Sequence, residues 1–544
     1  MNATVLSIQG LSVALPEGAD RRLAVEDVSL ELKRGETLCV VGESGSGKSI
    51  TAFAVAGLLS PQLTPVAGKI FFDGIDLLKT PEMVMRKIRG ARIAMVFQEP
   101  MTALNPVLRC GRQIMEMFEA HDLHSQRARK ARALELLIEV GLPDPEKAFH
   151  AFPHELSGGQ RQRVMIAMAL ALEPDVIIAD EPTTALDVTT QAQILTLLKR
   201  LREKHGTAIL FITHDFGVVA EIADRVVVMH RGKVVESGPA ADLLNNPREP
   251  YTKGLLAAVP ALSPPPGVEE GDSPVVLSAR RLSKTYRGRG LFNRRDVAAL
   301  ADVSFDLRRG ETLGIVGESG SGKSTLGRCL MRLSEIDAGE IIVDGKDLRT
   351  LSDREFQPFR KRMQMVFQDP FASLNPQSRI GRIIADGPTV HGMAHNQALE
   401  QAAELLGLVG LDLSAMDRYP REFSGGQRQR IGIARALALE PAIVIADEPV
   451  SALDVSVQAQ VLKLLRELKL RLSLSLIFIT HDLRVAAQIC DRIAVMQRGR
   501  IVEIGSTEEV FGHPKSDYTR ALLAAVPGRE FGSHRALEES SNPA

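Results

Sequence analysis

Uninterrupted apolar runs punctuate the chain in matched pairs, too short for helices and lacking the alternation of a half-solvated strand. Residues 36–41 and 311–316 each lead into a glycine loop followed by helix-compatible sequence, the strand-loop-helix order of α/β proteins. Residues 176–179 and 443–446, and again 209–213 and 476–480, are the continuous kind found in strands covered on both faces. Between roughly residues 110 and 155, and again between 380 and 422, the apolar spacing turns helical, as in ALELLIEVG and AAELLGLVG. The pattern predicts two α/β cores, each carrying a largely helical inserted subdomain.

The pairing extends to the whole chain, which is a tandem repeat. GESGSGKS from Gly42 recurs from Gly317, FQEPMTALNP recurs as FQDPFASLNP, and HELSGGQRQR recurs as REFSGGQRQR. Each copy closes alike, with PYTKGLLAAVP and DYTRALLAAVP. Proline and glycine concentrated over residues 263–274 read as a semi-extended linker. The expected domains are therefore residues 1–262 and 275–530, with residues 531–544 a polar tail expected to be disordered.

Composition narrows the setting. A chain of 544 residues exceeds what one core organises, and 66 basic residues against 67 acidic ones leave no field that favours nucleic acid or an anionic bilayer. Cys39, Cys110, Cys329 and Cys490 are far apart with no C-x-x-C pair, against a disulfide framework or local thiolate site and in keeping with a reducing cytosol. The first residues lack a signal-peptide pattern, and no run approaches the roughly 20 apolar residues of a membrane span. Any membrane role is expected to come through partners.

The repeated octapeptides, Gly42-Glu43-Ser44-Gly45-Ser46-Gly47-Lys48-Ser49 and Gly317-Glu318-Ser319-Gly320-Ser321-Gly322-Lys323-Ser324, satisfy G-x-x-x-x-G-K-[ST] with the strand before and helix after that the motif needs. Glycines let backbone N–H groups wrap phosphate oxygens, and the helix N-terminus adds its dipole. Lys48 and Lys323 supply a charge near the β- and γ-phosphates, while Ser49 and Ser324 offer a hydroxyl to Mg²⁺; Thr325 follows in the second copy. The runs VIIADE and IVIADE end in adjacent acids that strand alternation would point apart. Asp180 and Asp447 are assigned to Mg²⁺, and Glu181 and Glu448 to polarising the attacking water as general bases. An Asp-Glu pair is ordinarily a solvated turn, but these follow apolar strands in a chain with phosphate loops.

The segments LSGGQ, with Ser157, Gly158, Gly159 and Gln160, and FSGGQ, with Ser424, Gly425, Gly426 and Gln427, resemble the signature of the ATP-binding cassette (ABC) family. The resemblance covers both copies. It implies two tandem nucleotide-binding domains, each a RecA-like α/β core with an antiparallel β subdomain and an inserted helical subdomain. It also implies an intramolecular dimer, in which each signature meets the phosphate of ATP held by the opposite copy, Lys48 with Ser424 and Lys323 with Ser157. Backbone donors at the start of the helix VMIAMALAL suit an anion; Ser157 could equally be a plain helix cap. By the same resemblance Gln98 and Gln368 are glutamines that sense the γ-phosphate and metal, His214 and His481 are switch histidines, and ALD at residues 185–187 and 452–454 is the loop crossing the dimer. The family stacks an aromatic ring on adenine; Tyr286 fits that role, and the first copy has Leu15 instead. Weaker nucleotide binding is expected at the first site, with hydrolysis kept at both.

Q-E-P-M-T-A-L-N-P and Q-D-P-F-A-S-L-N-P, together with N-P-x-x-x-Y-T-K-G-L-L-A-A-V-P and H-P-x-x-x-Y-T-R-A-L-L-A-A-V-P, resemble the dipeptide and oligopeptide importer branch; the fused form resembles the twin-cassette ATPases of glutathione import. That implies docking beneath two membrane permeases on the cytoplasmic face of a bacterial inner membrane, with a binding protein delivering a peptide-like solute from outside. Importers of nickel chelates or opines remain alternatives. Soluble twin cassettes acting on ribosomes carry a long charged helical linker, which this chain lacks. Some relatives bind an iron-sulfur cluster after the Tyr-Thr element; ALSPPPG and GREFGSH contain no cysteine, so no cluster is expected.

Overall fold

The computed structural model describes residues 3–19, 21–184, 186–262, 273–287, 296–451 and 453–529. The chain divides into two compact units, Met1–Val259 and Pro260–Ala544. The segments expected to be linker and tail, and the alanines of the two ALD loops, lie almost entirely outside the described residues.

In the first unit the phosphate-loop strand Thr37–Val41 is buried along its whole length. It lies between Ala208–Thr213 and Arg225–His230, parallel to both. The six-stranded sheet continues through Val176–Asp180 to Ile93–Val96 on one side and ends in the antiparallel Lys233–Pro239 on the other. Because both faces are covered, one of them by the helix Lys48–Ala56 together with a second sheet, these strands carry no alternation, as the sequence pattern required. A second, antiparallel sheet orders Leu23–Lys33, Thr4–Ala14, Thr64–Phe72 and Ile75–Asp76. Residues of both sheets and of the helix Lys48–Ala56 share one hydrophobic core, in which Leu6, Val28 and Phe72 meet Leu38, Val55 and Ile178. The helical insert, Cys110–Glu119, Gln126–Glu139, Pro145–His150 and Gly158–Leu170, interrupts the sheet between Ile93–Val96 and Val176–Asp180.

The second unit repeats this plan around Thr312–Val316, with strand order Met363–Val366, Ile443–Asp447, Ser475–Thr480, Thr312–Val316, Arg492–Gln497, Arg500–Ser506. Its helical insert is Ile380–Val390, His395–Leu408 and Gly425–Leu437. The two units solve one packing problem in opposite ways. In the first, Cys39 fills a slot beside Asp224 from the strand. In the second the strand has Gly314, and Cys490 fills the slot from the chain beyond a helix, next to Asp491. A Cβ on Gly314 would stand 2.7 Å from Cys490 Sγ. Cys110 and Cys329 are also buried, and burial pushes each thiol up to about 11.

Candidate nucleotide site

In each unit the phosphate loop, the Asp-Glu pair, the glutamine and the histidine converge at the carboxyl ends of the parallel strands, where open α/β sheets bind ligands; among the described residues, the signature residues and Tyr286 are not joined to them by any contact within the unit. Gly42 leaves Thr37–Val41 at φ 151°, and Gly317 leaves Thr312–Val316 at φ 149°. A Cβ there would fall 2.1 Å from Met229 O or 2.2 Å from Met496 O, so glycine is required at both. Gly47 and Gly322 are likewise left-handed, at φ 102° and 106°, immediately before the helices that begin at Lys48 and Lys323. Ser44 and Gly45, and Ser319 and Gly320, form the exposed crown of each loop, while Ser46 and Ser321 are buried.

Lys48 and Lys323 are buried, an expensive place for an ammonium without partners. Lys48 Nζ donates to the carbonyls of Gly42 at 2.8 Å and Glu43 at 2.9 Å. Lys323 Nζ does the same to Gly317 and Glu318, both at 2.8 Å. Ser49 Oγ donates to Asp180 Oδ1 at 2.9 Å, and Ser324 Oγ to Asp447 Oδ1 at 3.0 Å. Burial, and the charge of the neighbouring glutamate, hold both aspartates above the ordinary carboxylate range despite that hydrogen bond. Thr325 follows in the second helix; Ile50 holds that place in the first and packs on the core.

Glu181 and Glu448 lie just beyond their strands in the left-handed region, φ 45° and 46°. This turn, and not pleat alternation, separates each glutamate from the preceding aspartate. Glu181 accepts from Gln98 Nε2 at 2.8 Å and Thr184 Oγ1 at 3.0 Å, and its Oε1 is 3.1 Å from His214 Nδ1. Glu448 accepts from Gln368 Nε2 at 2.9 Å and lies 3.2 Å from His481 Nδ1. Burial raises both glutamates, but the histidine hydrogen bond and charge outweigh it and leave each below its ordinary value. His481 is held above its ordinary value: burial opposes its charge, and Glu448 more than compensates.

The signature helices start earlier than the apolar run suggested. They span Gly158–Leu170 and Gly425–Leu437, so both glycines belong to the first turn. Ser157 Oγ accepts from Gln160 N while Gln160 Oε1 accepts from Ser157 N, and Ser424 with Gln427 forms the same capping box. The second glycine has a packing reason: a Cβ on Gly159 would meet Thr190 Cγ2 at 2.4 Å, and one on Gly426 would meet Val457 Cγ1 at 2.2 Å. Gly158 and Gly425 have room, their nearest neighbours being 3.8 and 3.6 Å away. Asp187 caps the helix Val188–His205 through Thr190 N at 2.9 Å, whereas Asp454 makes no side-chain cap.

Tyr286 ends the strand Val275–Tyr286 with 43% of its surface exposed and Lys284 Nζ 5.7 Å from its ring centroid. Leu15 is placed just past Thr4–Ala14, its N–H donating to Arg22 O at 3.0 Å. Three groups beside the phosphate chemistry escaped the sequence reading. Thr184 supports Glu181, and an Arg21 guanidinium N–H donates to the Gly45 carbonyl. Tyr251 and Tyr518 Oη accept from the phosphate-loop N–H groups of Glu43 and Glu318. The tyrosines had a signal, the repeated Tyr-Thr of the copy ends.

The profile of the family described as ABC transporter matches residues 25–184 and 300–451. A second, described as Oligopeptide/dipeptide transporter, C-terminal region, matches residues 235–294 and 502–542. The chain is 49% identical to the Peptidoglycan transport ATP-binding protein YejF of Agrobacterium fabrum, covering 98% of each. It is 47% identical to the Glutathione import ATP-binding protein GsiA of Salmonella choleraesuis, covering 98% of this chain and 91% of GsiA. A solved dimeric bacterial ABC transporter cassette aligns over 42% of this chain and 98% of its own at 29% identity, with a TM-score of 0.39. With both family segments present in each half of the chain, the protein belongs to the ABC transporter family as a twin-cassette ATPase.

Proposed function

We propose that this chain powers uptake of a peptide-like solute through two partner permeases, fed by an extracytoplasmic solute-binding protein, from the cytoplasmic face of the membrane. The observation that carries this reading is the oligopeptide/dipeptide transporter region present at the end of both cassettes, beside relatives named for glutathione import and peptidoglycan transport. Among the described residues no helix is long and apolar enough to cross a membrane.

Backbone N–H groups of Gly45 to Ser49 and Gly320 to Thr325 are suited to cradle ATP phosphates. Lys48 and Lys323, kept on the loop carbonyls that seat them, are placed to reach the β- and γ-phosphate oxygens. Ser49 with Asp180, and Ser324 with Asp447, offer hard oxygens already within 3.0 Å of each other, joined by the amide oxygens of Gln98 and Gln368, and this donor set fits Mg²⁺. When bound, the ion neutralises charge developing on the phosphates. Glu181 and Glu448 orient the attacking water once Gln98 and Gln368 turn toward nucleotide. As general bases, Glu181 and Glu448 accept from the attacking water. His214 and His481 fix those carboxylates and reach the γ-phosphate.

The test is reconstitution of the full chain with peptide-importer permeases and a solute-binding protein from the same cell, measuring ATP-dependent entry of labelled glutathione, peptidoglycan-derived peptides, nickel chelates and opines into vesicles. Uptake of glutathione or of the peptides supports the reading. Uptake confined to nickel chelates or opines, or recovery of the chain with ribosomes and no permease, would overturn it.

A further inference from the structure

The closing Tyr-Thr element of each copy has no part in the chemistry above, yet it reaches the phosphate loop. The helix Pro250–Ala257 presents Tyr251, whose Oη accepts from Glu43 N–H at 3.3 Å. The helix Asp517–Ala524 presents Tyr518, whose Oη accepts from Glu318 N–H at 3.2 Å. The chain has only four tyrosines, and two of them make this same contact in separate units.

The N–H concerned shares a rigid peptide plane with the carbonyl that seats the loop lysine. Glu43 N–H is on the amide whose oxygen, Gly42 O, accepts from Lys48 Nζ at 2.8 Å. In the second unit Glu318 N–H pairs in the same way with Gly317 O, 2.8 Å from Lys323 Nζ. Tyrosine and lysine thus grip one amide from opposite ends. That amide has little freedom to shift along the chain, because Gly42 and Gly317 are packed against the carbonyls of Met229 and Met496. Rotation about its own long axis is the remaining motion, and the phenol oxygen opposes it.

The phenol is itself held from the sheet. Glu236, on the last strand, accepts from Arg248 N at 2.8 Å and Glu249 N at 3.3 Å, fixing the start of the Tyr251 helix. Glu503 accepts from Lys515 N at 2.7 Å and Ser516 N at 3.1 Å ahead of Tyr518. Tyr251 also stacks on His230, with ring centroids 3.9 Å apart; Gln497 stands at the corresponding place in the second unit.

We propose that Tyr251 and Tyr518 are positioning residues of the two ATP sites, locking the first peptide of each phosphate loop and through it the resting place of Lys48 or Lys323. The inference rests on the assignment of these loops to ATP. It gives the repeated Tyr-Thr element a task inside the ATPase, linking the last sheet strand and closing helix to the phosphates.

The experiment measures binding of N-methylanthraniloyl-ATP and the KM and kcat of hydrolysis in the full chain. Lys323→Ala isolates the first site, and Tyr251→Phe is compared with its parent and with Lys48→Ala. Phenylalanine keeps the ring and its stack but removes the acceptor. The expected result is a loss of ATP affinity of about 3- to 10-fold, the range of one net hydrogen bond, with KM rising in step and thermal midpoint unchanged. Tyr518→Phe in the Lys48→Ala background repeats the measurement where no histidine stacks on the ring. Unchanged affinity in both variants overturns the proposal, as does a loss matched by an equal loss of folded protein in both. Undiminished binding in Lys48→Ala would instead remove the ATP assignment itself.

Discussion

Glu181 and Glu448 hold left-handed backbone conformations, φ 45° and 46°, that cost a residue with a side chain about 1 kcal/mol or more. The strain is sustained by the Glu181 N–H bond to Ile212 O at 2.9 Å, the Glu448 bond to Ile479 O at 2.9 Å and the side-chain partners beyond. It turns each carboxylate away from the neighbouring aspartate and toward Gln98 and His214, or Gln368 and His481. Glu181→Gln is expected to slow single-turnover hydrolysis at the first site roughly 100-fold or more while ATP still binds; wild-type turnover at both sites would remove the assignment to the water. A second residue-scale prediction concerns adenine. Tyr286 is half exposed at the end of its strand, and Leu15 has no ring. Leu15→Tyr is expected to tighten nucleotide binding at the first site by about 1 kcal/mol, read by titration in a Lys323→Ala background.

At the scale of elements, close approaches dictate the small residues. Gly159 lets the signature helix lie against Thr190 of the helix Val188–His205, and a methyl group at 2.4 Å forces one helix to move. Gly159→Ala is therefore expected to cost about 1–3 kcal/mol of stability, measured by thermal unfolding, whereas Gly158→Ala, with 3.8 Å of room, costs far less. The cysteine slot makes a paired prediction. Gly314→Ala drives a methyl into Cys490 Sγ and destabilises the second unit, and adding Cys490→Ala, which removes that sulfur and leaves alanine as at Ala223 of the first unit, recovers part of the lost midpoint. If the double variant is no more stable than Gly314→Ala alone, the two positions do not share one slot.

At the scale of the whole molecule, the units have separate cores and differ in how each ties its two sheets together. In the first, Asp175 accepts from Arg34 at 2.8 Å and Arg92 at 2.8 Å, and Arg92 also reaches Asp73 at 3.0 Å. In the second, Ala442 stands where Asp175 does, leaving Arg362 with Asp344 at 2.8 Å. Burial raises the Asp175 carboxyl, but the two arginines outweigh it and hold it below its ordinary 3.8. A depressed carboxylate contributes stability that is fully present above its unfolded value and is lost as pH falls through the lower folded one. Asp175→Asn should thus weaken protection of strand amides in the first unit at all pH above about 4, an effect that fades in stronger acid and spares the second unit. Hydrogen exchange resolved by peptide checks this, and equal loss in both units would refute it.

The sequence alone determined the tandem repeat, the doubly covered strands, the phosphate loops and the acids beyond the strand ends, because these depend on local pattern: glycines where φ must be positive, and apolar runs where both sheet faces are covered. It also carried the family. Local pattern misplaced the start of the signature helices, since Gly158 and Gly159 are poor helix formers and only the capping box of Ser157 with Gln160 holds them in the first turn. It attributed the divergence of Asp180 and Glu181 to the pleat, where a left-handed turn does it. Only the tertiary structure joined Tyr251 to Glu43 and Tyr518 to Glu318, pairs separated by about 200 residues. A hydrogen bond across that distance leaves no periodicity, and what places it is a closing helix whose start is anchored on the last sheet strand by Glu236 or Glu503.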